Sequence, residues 1–279
     1  MKILITGGTG YLGSHLVHQI YKSGNKIACV VENQENLGRL ENLKKEIKVI
    51  PVESMSSEIP KFSPEVVIHT ACVYSREGIS EQDVFKGNLL FPLEVLQIAR
   101  ASGVKKWINT ATSLPSMISS YALAKSQFVQ WGRFYAENGA ITFVNLQLEH
   151  FYGKDAPTSN FLSWVIGKLK KNEPLDLTIG TQRRDFVFID DVLHVYDAVL
   201  NRDFEEDYIE IPVGTGEAPS VREVVEYLKE LIGSESELHF GAVPMRREEP
   251  DSHCDIKMLQ NIGVQPLVKW KTGLKIILE

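Results

Sequence analysis

Residues 3–20, ILITGGTGYLGSHLVHQI, decide the fold of this chain. Residues 3–6 form a short apolar run that is typical of a buried strand, and the apolar side chains of residues 14–21 repeat with the spacing of one helix face. A glycine-rich turn, residues 7–13, joins the two elements. The sequence therefore predicts a strand, a tight turn and a helix, which is the context in which such glycines bind a dinucleotide.

Each glycine of this turn has its own expected role. Gly7 permits the tight turn, Gly10 lets the backbone approach a pyrophosphate, and Gly13 lets the helix pack closely on the strand. The N–H groups that open the helix, at Tyr11 and Leu12, then face the phosphates together with the positive end of the helix dipole. Because both flanks match as well as the glycines, we predict a dinucleotide-binding site here.

The alternation of strands and helices continues along the chain. Apolar runs that are typical of strands occur at residues 27–31, 47–52, 66–69 and 107–110, and helical stretches such as residues 84–101 lie between them. This alternation predicts an α/β fold, a Rossmann doubly wound parallel sheet with helices on both faces. A smaller C-terminal substrate-binding domain is expected to follow.

The length and composition of the chain are sufficient for two domains. With 279 residues, of which 43% are hydrophobic, the chain can bury the core of one dinucleotide-binding domain and a smaller appendage.

Composition also excludes several classes of protein. Met1 leads straight into the first strand and no apolar run is long enough to span a bilayer, so we expect no contact with a membrane. Three widely spaced cysteines fit a reducing compartment and give no zinc pattern, so we expect a cytoplasmic protein without a metal site. A net charge of −6 gives no reason to expect nucleic acid as a partner.

An acidic residue follows the second predicted strand. Glu32 lies about twenty residues beyond the glycines, where an acid in this fold binds the hydroxyls of the adenosine ribose. A carboxylate there would repel a 2′-phosphate and so favour NAD over NADP. Two alternatives remain open: Val31 occupies the usual position, or Glu32 is a solvated carboxylate that opens a loop.

Tyr121 and Lys125 lie four residues apart on a predicted helix and therefore share one face. That helix follows the fifth strand, whose end carries Thr112, and ligands of open parallel sheets bind beyond the carboxyl ends of strands. A phenol has a pKa of about 10, so it needs a nearby cation to act as a base at neutral pH. We predict that Lys125 and a bound nicotinamide lower the pKa of Tyr121, which exchanges a proton with an oxygen held by Thr112. Thr110 and Ser113 are close competitors of Thr112, and a turn hydroxyl is the plain alternative.

Taken together, these residues resemble the extended short-chain dehydrogenase/reductase family, in its branch of nucleotide-sugar epimerases, dehydratases and ketoreductases. The resemblance extends over essentially the whole chain. It implies an NAD(P)-binding Rossmann domain at residues 1–152, with a return of the chain at about residues 185–200, and a smaller substrate-binding domain formed by most of residues 153–279. The matching segments are residues 66–71, 87–90, 104–112, 180–192, 213–216 and 246–250. The resemblance implies that Thr70 and Ala71 lie beside the cofactor, that Asn88 is structural, and that Lys125 also binds the nicotinamide ribose.

The resemblance further implies a nucleoside-diphosphate sugar as substrate and NAD or NADP as cofactor. Arg184 and Arg247 are the candidates to bind the diphosphate, because guanidinium forks match phosphate oxygens, although each could equally be a surface charge. His150 and His194 are more simply structural histidines. Relatives commonly form homodimers through the helices that correspond to residues 84–101 and to residues 121–135, and we expect a homodimer here.

Two departures narrow the reaction. Ser113 and Leu114 stand where 4,6-dehydratases carry an acidic pair, so dehydration is not expected. The short stretch between Thr112 and Tyr121, together with residues 148–153, resembles the CDP-abequose and CDP-paratose synthases, which are 4-ketoreductases. The resemblance thus implies hydride transfer to C4 of a nucleoside-diphosphate 4-keto-6-deoxyhexose.

Alternatives to this reaction stay open. A nucleotide-sugar 4-epimerase would use the same three side chains, and a non-catalytic dinucleotide-sensing regulator would use the fold alone. The choice of cofactor is also open, since Glu32 favours NAD whereas a reductive role favours NADPH.

Overall fold

The computed structural model describes residues 1–246 and 249–279, which divide into two units. Unit 1 comprises Met1–Gln147 and Tyr196–Ile211, and unit 2 comprises Leu148–Val195 and Pro212–Glu279. The strands are β1 (Lys2–Thr6), β2 (Lys26–Val31), β3 (Lys48–Pro51), β4 (Val66–His69), β5 (Lys106–Thr112), β6 (Thr142–Leu148), β7 (His150–Tyr152), β8 (Leu175–Leu177), β9 (Phe186–Phe188), β10 (Tyr208–Val213) and β11 (Leu238–Phe240).

The helices alternate with the strands in the first half of the chain and dominate the second half. They are α1 (Tyr11–Lys22), α2 (Met55–Phe62), α3 (Glu81–Phe85), α4 (Phe91–Ala101), α5 (Ser120–Glu137), α6 (Phe161–Lys170), α7 (Ile189–Leu200), α8 (Val221–Ile232), α9 (Lys257–Asn261) and α10 (Trp270–Ile276). Within the described residues, no helix is both long enough and apolar enough to cross a membrane.

A seven-stranded sheet with the order β10-β6-β5-β4-β1-β2-β3 forms the centre of unit 1. The pairs β1–β2, β2–β3, β1–β4 and β4–β5 are all parallel, which confirms the predicted parallel Rossmann sheet. Strand order reverses between β1 and β4, and right-handed crossovers on either side of this point place helices on both faces. The carboxyl ends of β1 and β4 therefore border the crevice in which this fold binds ligands.

Strands β2 and β4 consist mostly of apolar residues because both faces of the sheet are covered. In β2 and β4 every residue is buried except the first residue of β2. On one side, Trp107 of β5 stacks on Phe143 of β6 with 6.4 Å between ring centroids, and Phe128 of α5 packs against both rings. These rings belong to the main buried cluster of unit 1.

Gly132 allows α5 to approach this aromatic cluster. A Cβ atom at Gly132 would lie 2.2 Å from the Cζ atom of Phe143. We expect Gly132→Ala to lower the free energy of unfolding by about 1–3 kcal/mol, because overpacking outweighs the gain in helix propensity. Gly167→Ala in α6 is the matched control, since a Cβ there meets nothing within 4 Å, and it should stabilise the protein by about 0.5–1 kcal/mol. Urea unfolding of both variants measures the difference, and a Gly132→Ala protein as stable as wild type would contradict this packing.

The helix predicted at residues 84–101 begins at Glu81 and contains a π-helical segment, Lys86–Leu90, between α3 and α4. Asn88 of this segment donates hydrogen bonds from Nδ2 to the carbonyl oxygens of Val73 (2.7 Å) and Val84 (2.9 Å). Its Oδ1 accepts from the N–H of Val73 at 3.1 Å. Asn88 therefore fastens the chain that follows β4 to this helix.

Unit 2 contains two parallel pairs of short strands, β7 with β9 and β8 with β11. Helix α8 begins with a capping box, in which Ser220 and Glu223 satisfy each other's backbone N–H groups. Asp191 at the start of α7 accepts hydrogen bonds from the N–H groups of Leu267 and Val268, both at 3.0 Å. The carboxylate of Asp191 thus holds the C-terminal segment in unit 2.

The units differ from the predicted domain boundaries. Unit 1 ends at Gln147 rather than at residue 152, and its return is Tyr196–Ile211 rather than about residues 185–200. Strand pairing gives the physical reason, since β9 pairs with β7 inside unit 2 whereas β10 joins the edge of the central sheet.

His239 in β11 gives unit 2 a pH-dependent contribution to stability. Its Nδ1 lies 2.8 Å from Asp176 Oδ1 and its Nε2 lies 3.1 Å from Glu237 Oε2, and these hydrogen bonds raise the pKa of His239. A pKa that is higher in the folded state stabilises the protein fully below about pH 6.5, the unfolded value, and this stabilisation is lost as pH rises through the folded pKa. We expect wild type to exceed His239→Gln in unfolding free energy at about pH 6 and to lose that excess as pH rises. Denaturant titrations across this range measure it, and a pH-independent difference would contradict the pairing.

Candidate active site

The glycine-rich turn between β1 and α1 is as tight as the sequence predicts. Gly7 has φ of +72°, and the N–H of Gly10 donates to the carbonyl oxygen of Gly7 at 3.0 Å. A Cβ at Gly7 would lie 2.4 Å from the backbone nitrogen of Ala71, and one at Gly13 would lie 2.1 Å from the carbonyl oxygen of Gly7. These two positions admit only glycine, because each would drive a side chain into backbone atoms.

The start of α1 has the features of an anion site. Its N-cap residue is Gly10, which offers no side-chain acceptor, and no acidic residue lies in the first turn. A Cβ at Gly10 would meet only the carbonyl oxygen of Gly7, at 3.2 Å, so the space beside the turn is otherwise open. By helix geometry, the first N–H groups of the helix, at Tyr11 and Leu12, face outward at its amino end. This cradle fits a dinucleotide pyrophosphate.

Thr70 and Ala71 follow β4 and lie against the glycine turn across the switch point of the sheet. The N–H of Thr70 donates to the carbonyl oxygen of Thr6 at 3.0 Å, and Thr70 Oγ1 donates to the same oxygen at 2.8 Å. Both Thr70 and Ala71 are partly exposed. The structure thus brings these two predicted residues together with Gly7 and Gly13.

Glu32 is exposed and directly follows β2, whose last residue, Val31, is buried. Thr6 pairs with Val30 in the parallel register, so Glu32 lies beyond the same sheet edge as the glycine turn. A residue that the sequence patterns did not single out lies nearby: the guanidinium of Arg39 is 5.3 Å from the ring centroid of Tyr11. This edge therefore carries both an acidic and a basic side chain.

Tyr121 and Lys125 lie in the first two turns of α5, at the carboxyl end of β5. Lys125 is almost fully buried, and its Nζ donates to the carbonyl oxygen of Thr110 at 2.6 Å. This bond ties α5 to β5 beside Tyr121, which is partly buried. Thr112 is the last residue of β5, and its Oγ1 accepts from the N–H of Leu114 at 3.3 Å.

The surroundings of Thr110 and Thr112 distinguish the two competing hydroxyls. Thr110 is buried, and its Oγ1 lies 2.5 Å from the hydroxyl of Tyr196, which is itself buried. Thr112 is partly exposed and makes a long bond to a turn. Thr112 is therefore better placed than Thr110 to bind a ligand.

The side chains around Tyr121 affect the pKa of its phenol. Burial, together with the Cys72 thiol and the Tyr74 phenol, raises the pKa of Tyr121 well above its ordinary value. Burial lowers the pKa of Lys125, and its ammonium group is hydrogen-bonded to the Thr110 carbonyl oxygen. In the protein alone, the phenol of Tyr121 is therefore protonated at neutral pH, and the effect of Lys125 together with a bound nicotinamide stays a prediction. Such a phenol can donate a proton.

The segment that follows β4 contributes residues that the sequence did not reveal. The N–H of Tyr121 donates to Ser75 Oγ at 3.1 Å, and Ser75 Oγ lies 2.8 Å from Ser120 Oγ. The ring of Tyr74 stacks on that of Tyr121, with centroids 5.0 Å apart and planes inclined by 29°. Residues 72–76 have no strand or helix periodicity, so no pattern in the sequence indicates these contacts.

Arg184, in unit 2, is buried and already bonded to its own surroundings. Its guanidinium donates to the carbonyl oxygen of Arg183 at 2.7 Å, to the carbonyl oxygen of Pro250, and to the carboxylate of Glu249. The other candidate for the diphosphate, Arg247, lies outside the described residues. Arg184 thus has a structural partner that the resemblance did not imply.

The neighbouring Asp185 organises the loops around Arg184. It is fully buried, and its carboxylate accepts from the N–H and hydroxyl of Thr215, from the N–H of Gly216 and from the N–H of Cys254. Burial is the larger influence on this carboxylate and raises the pKa of Asp185, although these hydrogen bonds oppose it. Asp185 therefore joins two segments that are distant in sequence.

The chain is similar in sequence to a protein family and to known proteins. The family model described as the NAD dependent epimerase/dehydratase family matches residues 3–214. A CDP-abequose synthase of Salmonella muenchen is 30% identical, in an alignment that covers 100% of this chain and 97% of that protein. A putative UDP-glucose 4-epimerase of Methanocaldococcus jannaschii is 25% identical, over 99% of this chain and 97% of that protein.

The fold is also that of solved structures. The UDP-glucose 4-epimerase of Thermus thermophilus, solved in complex with NAD, superimposes with a TM-score of 0.84. It is 24% identical, and the match covers 100% of this chain and 98% of the other. A likeness of this size at this identity shows a common fold.

Proposed function

The chain belongs to the NAD dependent epimerase/dehydratase family and is an NAD-dependent nucleotide-sugar reductase or epimerase. We propose that it reduces C4 of a nucleoside-diphosphate 4-keto-6-deoxyhexose. The observation that carries this proposal is the position of Tyr121 and Lys125 on one face of α5, at the end of β5. The glycine turn lies at the same carboxyl edge of the same sheet. A proton donor and a dinucleotide cradle thus share one unit.

The fit of the glycine turn to a dinucleotide supports the cofactor. The open space beside Gly10 and the uncapped start of α1 suit a pyrophosphate, with Tyr11, Leu12 and Gly13 supplying N–H groups. Thr70 and Ala71 would border the cofactor, and Lys125 would reach its ribose. When bound, a nicotinamide cofactor supplies the hydride in such a reaction.

The side chains at the end of β5 and the start of α5 would handle the substrate oxygen. Tyr121, protonated at neutral pH, would donate its proton to the C4 oxygen as a carbonyl becomes an alcohol. Thr112 would hold the same oxygen by a hydrogen bond. Lys125 would keep Tyr121 in place through its bond to the Thr110 carbonyl oxygen. A protonated phenol suits reduction, because reduction of a carbonyl consumes a proton.

The sequence around Thr112 supports reduction over dehydration. Ser113 and Leu114 carry no carboxylate, so this turn offers no acid or base to eliminate water from the sugar. The similarity to CDP-abequose synthase over the full chain favours a CDP-linked substrate. Arg184 and Arg247 remain our candidates for its diphosphate, and Arg184 would then exchange its bond to Glu249 for phosphate oxygens.

A 4-epimerase is the second candidate, favoured by the similarity to the putative UDP-glucose 4-epimerase. Stoichiometry separates the two reactions. With CDP-4-keto-6-deoxyglucose and either NADH or NADPH, a reductase oxidises one equivalent of cofactor for each equivalent of reduced sugar. An epimerase interconverts CDP-glucose and its C4 epimer without net consumption of cofactor. Absorbance and chromatography of the sugar products, run together, therefore decide between them.

Glu32 and Arg39 bear on the choice of cofactor. We propose NAD(H), in which Glu32 binds the adenosine ribose, because the family is NAD-dependent and Glu32 lies beyond β2. Arg39 beside Tyr11 would instead favour a 2′-phosphate. Dissociation constants for NADH and NADPH, measured for wild type and for Glu32→Gln, test the proposal. Weaker NADH binding in Glu32→Gln supports it, and unchanged binding of both cofactors contradicts it.

We also propose a homodimer formed by the helical stretch of residues 81–101, which includes the π-helical segment, and by α5. These helices expose large apolar side chains, namely Phe85, Leu90, Leu123, Trp131 and Phe134. Exposed apolar patches of this kind mark surfaces that bind another chain. Light scattering should give a dimer for wild type and a weakened one for Phe134→Glu. A wild-type monomer would contradict the proposal.

We place this reaction in the cytoplasm. All three cysteines, Cys29, Cys72 and Cys254, are free thiols, as is usual in a reducing compartment. Fractionation of the source cell with an antibody to the protein tests this location, and recovery outside the cytoplasmic fraction would contradict it.

A further inference from the structure

Residues 72–76, which follow β4, make direct contact with the start of α5. Ser75 Oγ accepts from the N–H of Tyr121 at 3.1 Å and lies 2.8 Å from Ser120 Oγ. The side chain of the helix's own N-cap residue, Ser119, accepts from the N–H of Ala122 at 3.2 Å. Ser75 therefore completes the cap of α5 from another part of the chain, at the residue that carries the proposed proton donor.

The same segment holds the side chain of Tyr121. Tyr74 stacks on the Tyr121 ring at a centroid distance of 5.0 Å, an offset arrangement that is favourable for two aromatic rings. The guanidinium of Arg76 lies 4.9 Å from the centroid of the Tyr74 ring. One ring face of Tyr121 is thus covered by a side chain that has a further contact of its own.

The segment is itself fastened to the protein. Asn88 binds both the N–H and the carbonyl oxygen of Val73, the residue before Tyr74. Gly87 lets Val73 approach this helix, because a Cβ at Gly87 would lie 2.4 Å from Val73 Cγ2. Because this segment is held in place, its contacts can fix the position of Tyr121. Contacts from a loose loop could not do so.

We propose that Ser75 and Tyr74 are positioning residues for Tyr121, with Ser75 fixing the first turn of α5 and Tyr74 fixing the orientation of the phenol ring. The proposal rests on the proposed function of Tyr121 as proton donor. Proton transfer requires the donor oxygen within hydrogen-bond reach of the substrate oxygen, and displacement of a reacting group by about 1 Å can lower the rate by about 100-fold. Loss of either contact should therefore lower kcat more than it raises KM.

Kinetics of four variants and a control test the two contacts. Ser75→Ala removes the acceptor of the Tyr121 N–H and should lower kcat by about 10-fold or more with little change in KM. Ser75→Thr keeps a hydroxyl and should restore kcat. Tyr74→Leu removes the stacked ring and should act likewise, whereas Tyr74→Phe keeps the ring and should stay within about twofold of wild type. Ser126→Ala is the matched control, because Ser126 lies on the same helix and donates only to the Leu123 carbonyl oxygen in the contacts described.

A spectroscopic measurement on the same variants does not depend on activity. In protein labelled with ¹³C at the tyrosine ring, the resonance that disappears in Tyr121→Phe belongs to Tyr121. Tyr74→Leu should shift this resonance, because it removes the ring-current effect of the stacked aromatic ring. Tyr74→Phe keeps the ring and should leave the resonance in place. Ser75→Ala should shift it as well, because the first turn of α5 loses an anchor, and Ser126→Ala should not.

The outcomes separate the two proposals. A Tyr121 resonance that is unchanged in both Tyr74→Leu and Ser75→Ala overturns the positioning role, whatever the activity of the protein. Equal loss of kcat in Tyr74→Phe and Tyr74→Leu, or a change in KM alone, also overturns it, since the side chain would then bind substrate. A wild-type protein that reduces no 4-keto sugar but shows the expected resonance shifts contradicts the proposed function and leaves the positioning role standing.

Discussion

Replacing Tyr121 with phenylalanine should lower kcat by about 10²–10⁴-fold, the usual contribution of a positioned proton donor. The substitution removes the phenol oxygen and keeps the ring, so the stacking on Tyr74 and the backbone bond to Ser75 should persist. Neither the glycine turn nor the bond from Lys125 to Thr110 involves the lost oxygen. The variant should therefore fold, bind the dinucleotide and lose turnover.

Three measurements on purified Tyr121→Phe check this result. Steady-state turnover should fall, whereas the dissociation constant for reduced nicotinamide dinucleotide and the free energy of unfolding should stay close to wild type. Lys125→Met should, by contrast, weaken both cofactor binding and turnover, because the buried ammonium anchors α5 to β5. A Tyr121→Phe protein with full turnover would exclude Tyr121 as proton donor. If wild type is inactive in every assay, and wild type and Tyr121→Phe bind the dinucleotide equally well, the result would favour a dinucleotide-sensing regulator over an enzyme.

Gly7→Ala should destabilise the protein by about 3 kcal/mol and abolish dinucleotide binding. The left-handed conformation of Gly7, with φ of +72°, disfavours a Cβ by about 1–2 kcal/mol. The forced contact with the backbone of Ala71, 2.4 Å away, adds about 1–3 kcal/mol. The turn can relieve this contact only by moving away from the segment after β4. That movement opens the cradle at the start of α1.

Gly24→Ala separates the effect of the left-handed backbone conformation from the effect of the close contact. Gly24 has φ of +80°, but a Cβ there would meet nothing within 4 Å. It should therefore cost about 1–2 kcal/mol through conformation alone and leave dinucleotide binding intact. Urea unfolding and titration with NADH provide both quantities. Equal destabilisation by Gly7→Ala and Gly24→Ala, or NADH binding by Gly7→Ala as tight as that of wild type, would contradict the close approach of the turn.

Local periodicity was sufficient to predict most of unit 1. The strands near residues 27–31 and 66–69 and the glycine turn agree with the structure, because a strand that is buried on both faces is apolar along its length. The pairing of β10 with β6 at the edge of the central sheet was not predicted. The first segment of unit 2 separates these two strands in sequence, so no local pattern indicates that they pair. The same long-range pairing explains why the predicted return of the chain was displaced.

The site was predictable to the extent that it depends on spacing. The four-residue interval between Tyr121 and Lys125 placed both at the end of β5, but no spacing indicated that the Lys125 ammonium binds the Thr110 carbonyl oxygen. The pKa of Tyr121 depends on burial and on neighbours, and both are results of packing. The pairing of Arg184 with Glu249 joins residues that are far apart in sequence, as does the contact of Ser75 with Tyr121.

Transfer of deuterium from a reduced nicotinamide cofactor that carries deuterium in place of both hydrogens at its C4 position to CDP-4-keto-6-deoxyglucose is the most direct test of the proposed reaction. Mass spectrometry and NMR of the sugar should find one deuterium per product molecule, bound to C4, with none in the Tyr121→Phe reaction. A product without deuterium, or with deuterium at another carbon, would contradict reduction at C4. Interconversion of CDP-glucose and its C4 epimer in a separate reaction, without net consumption of cofactor, would instead identify an epimerase.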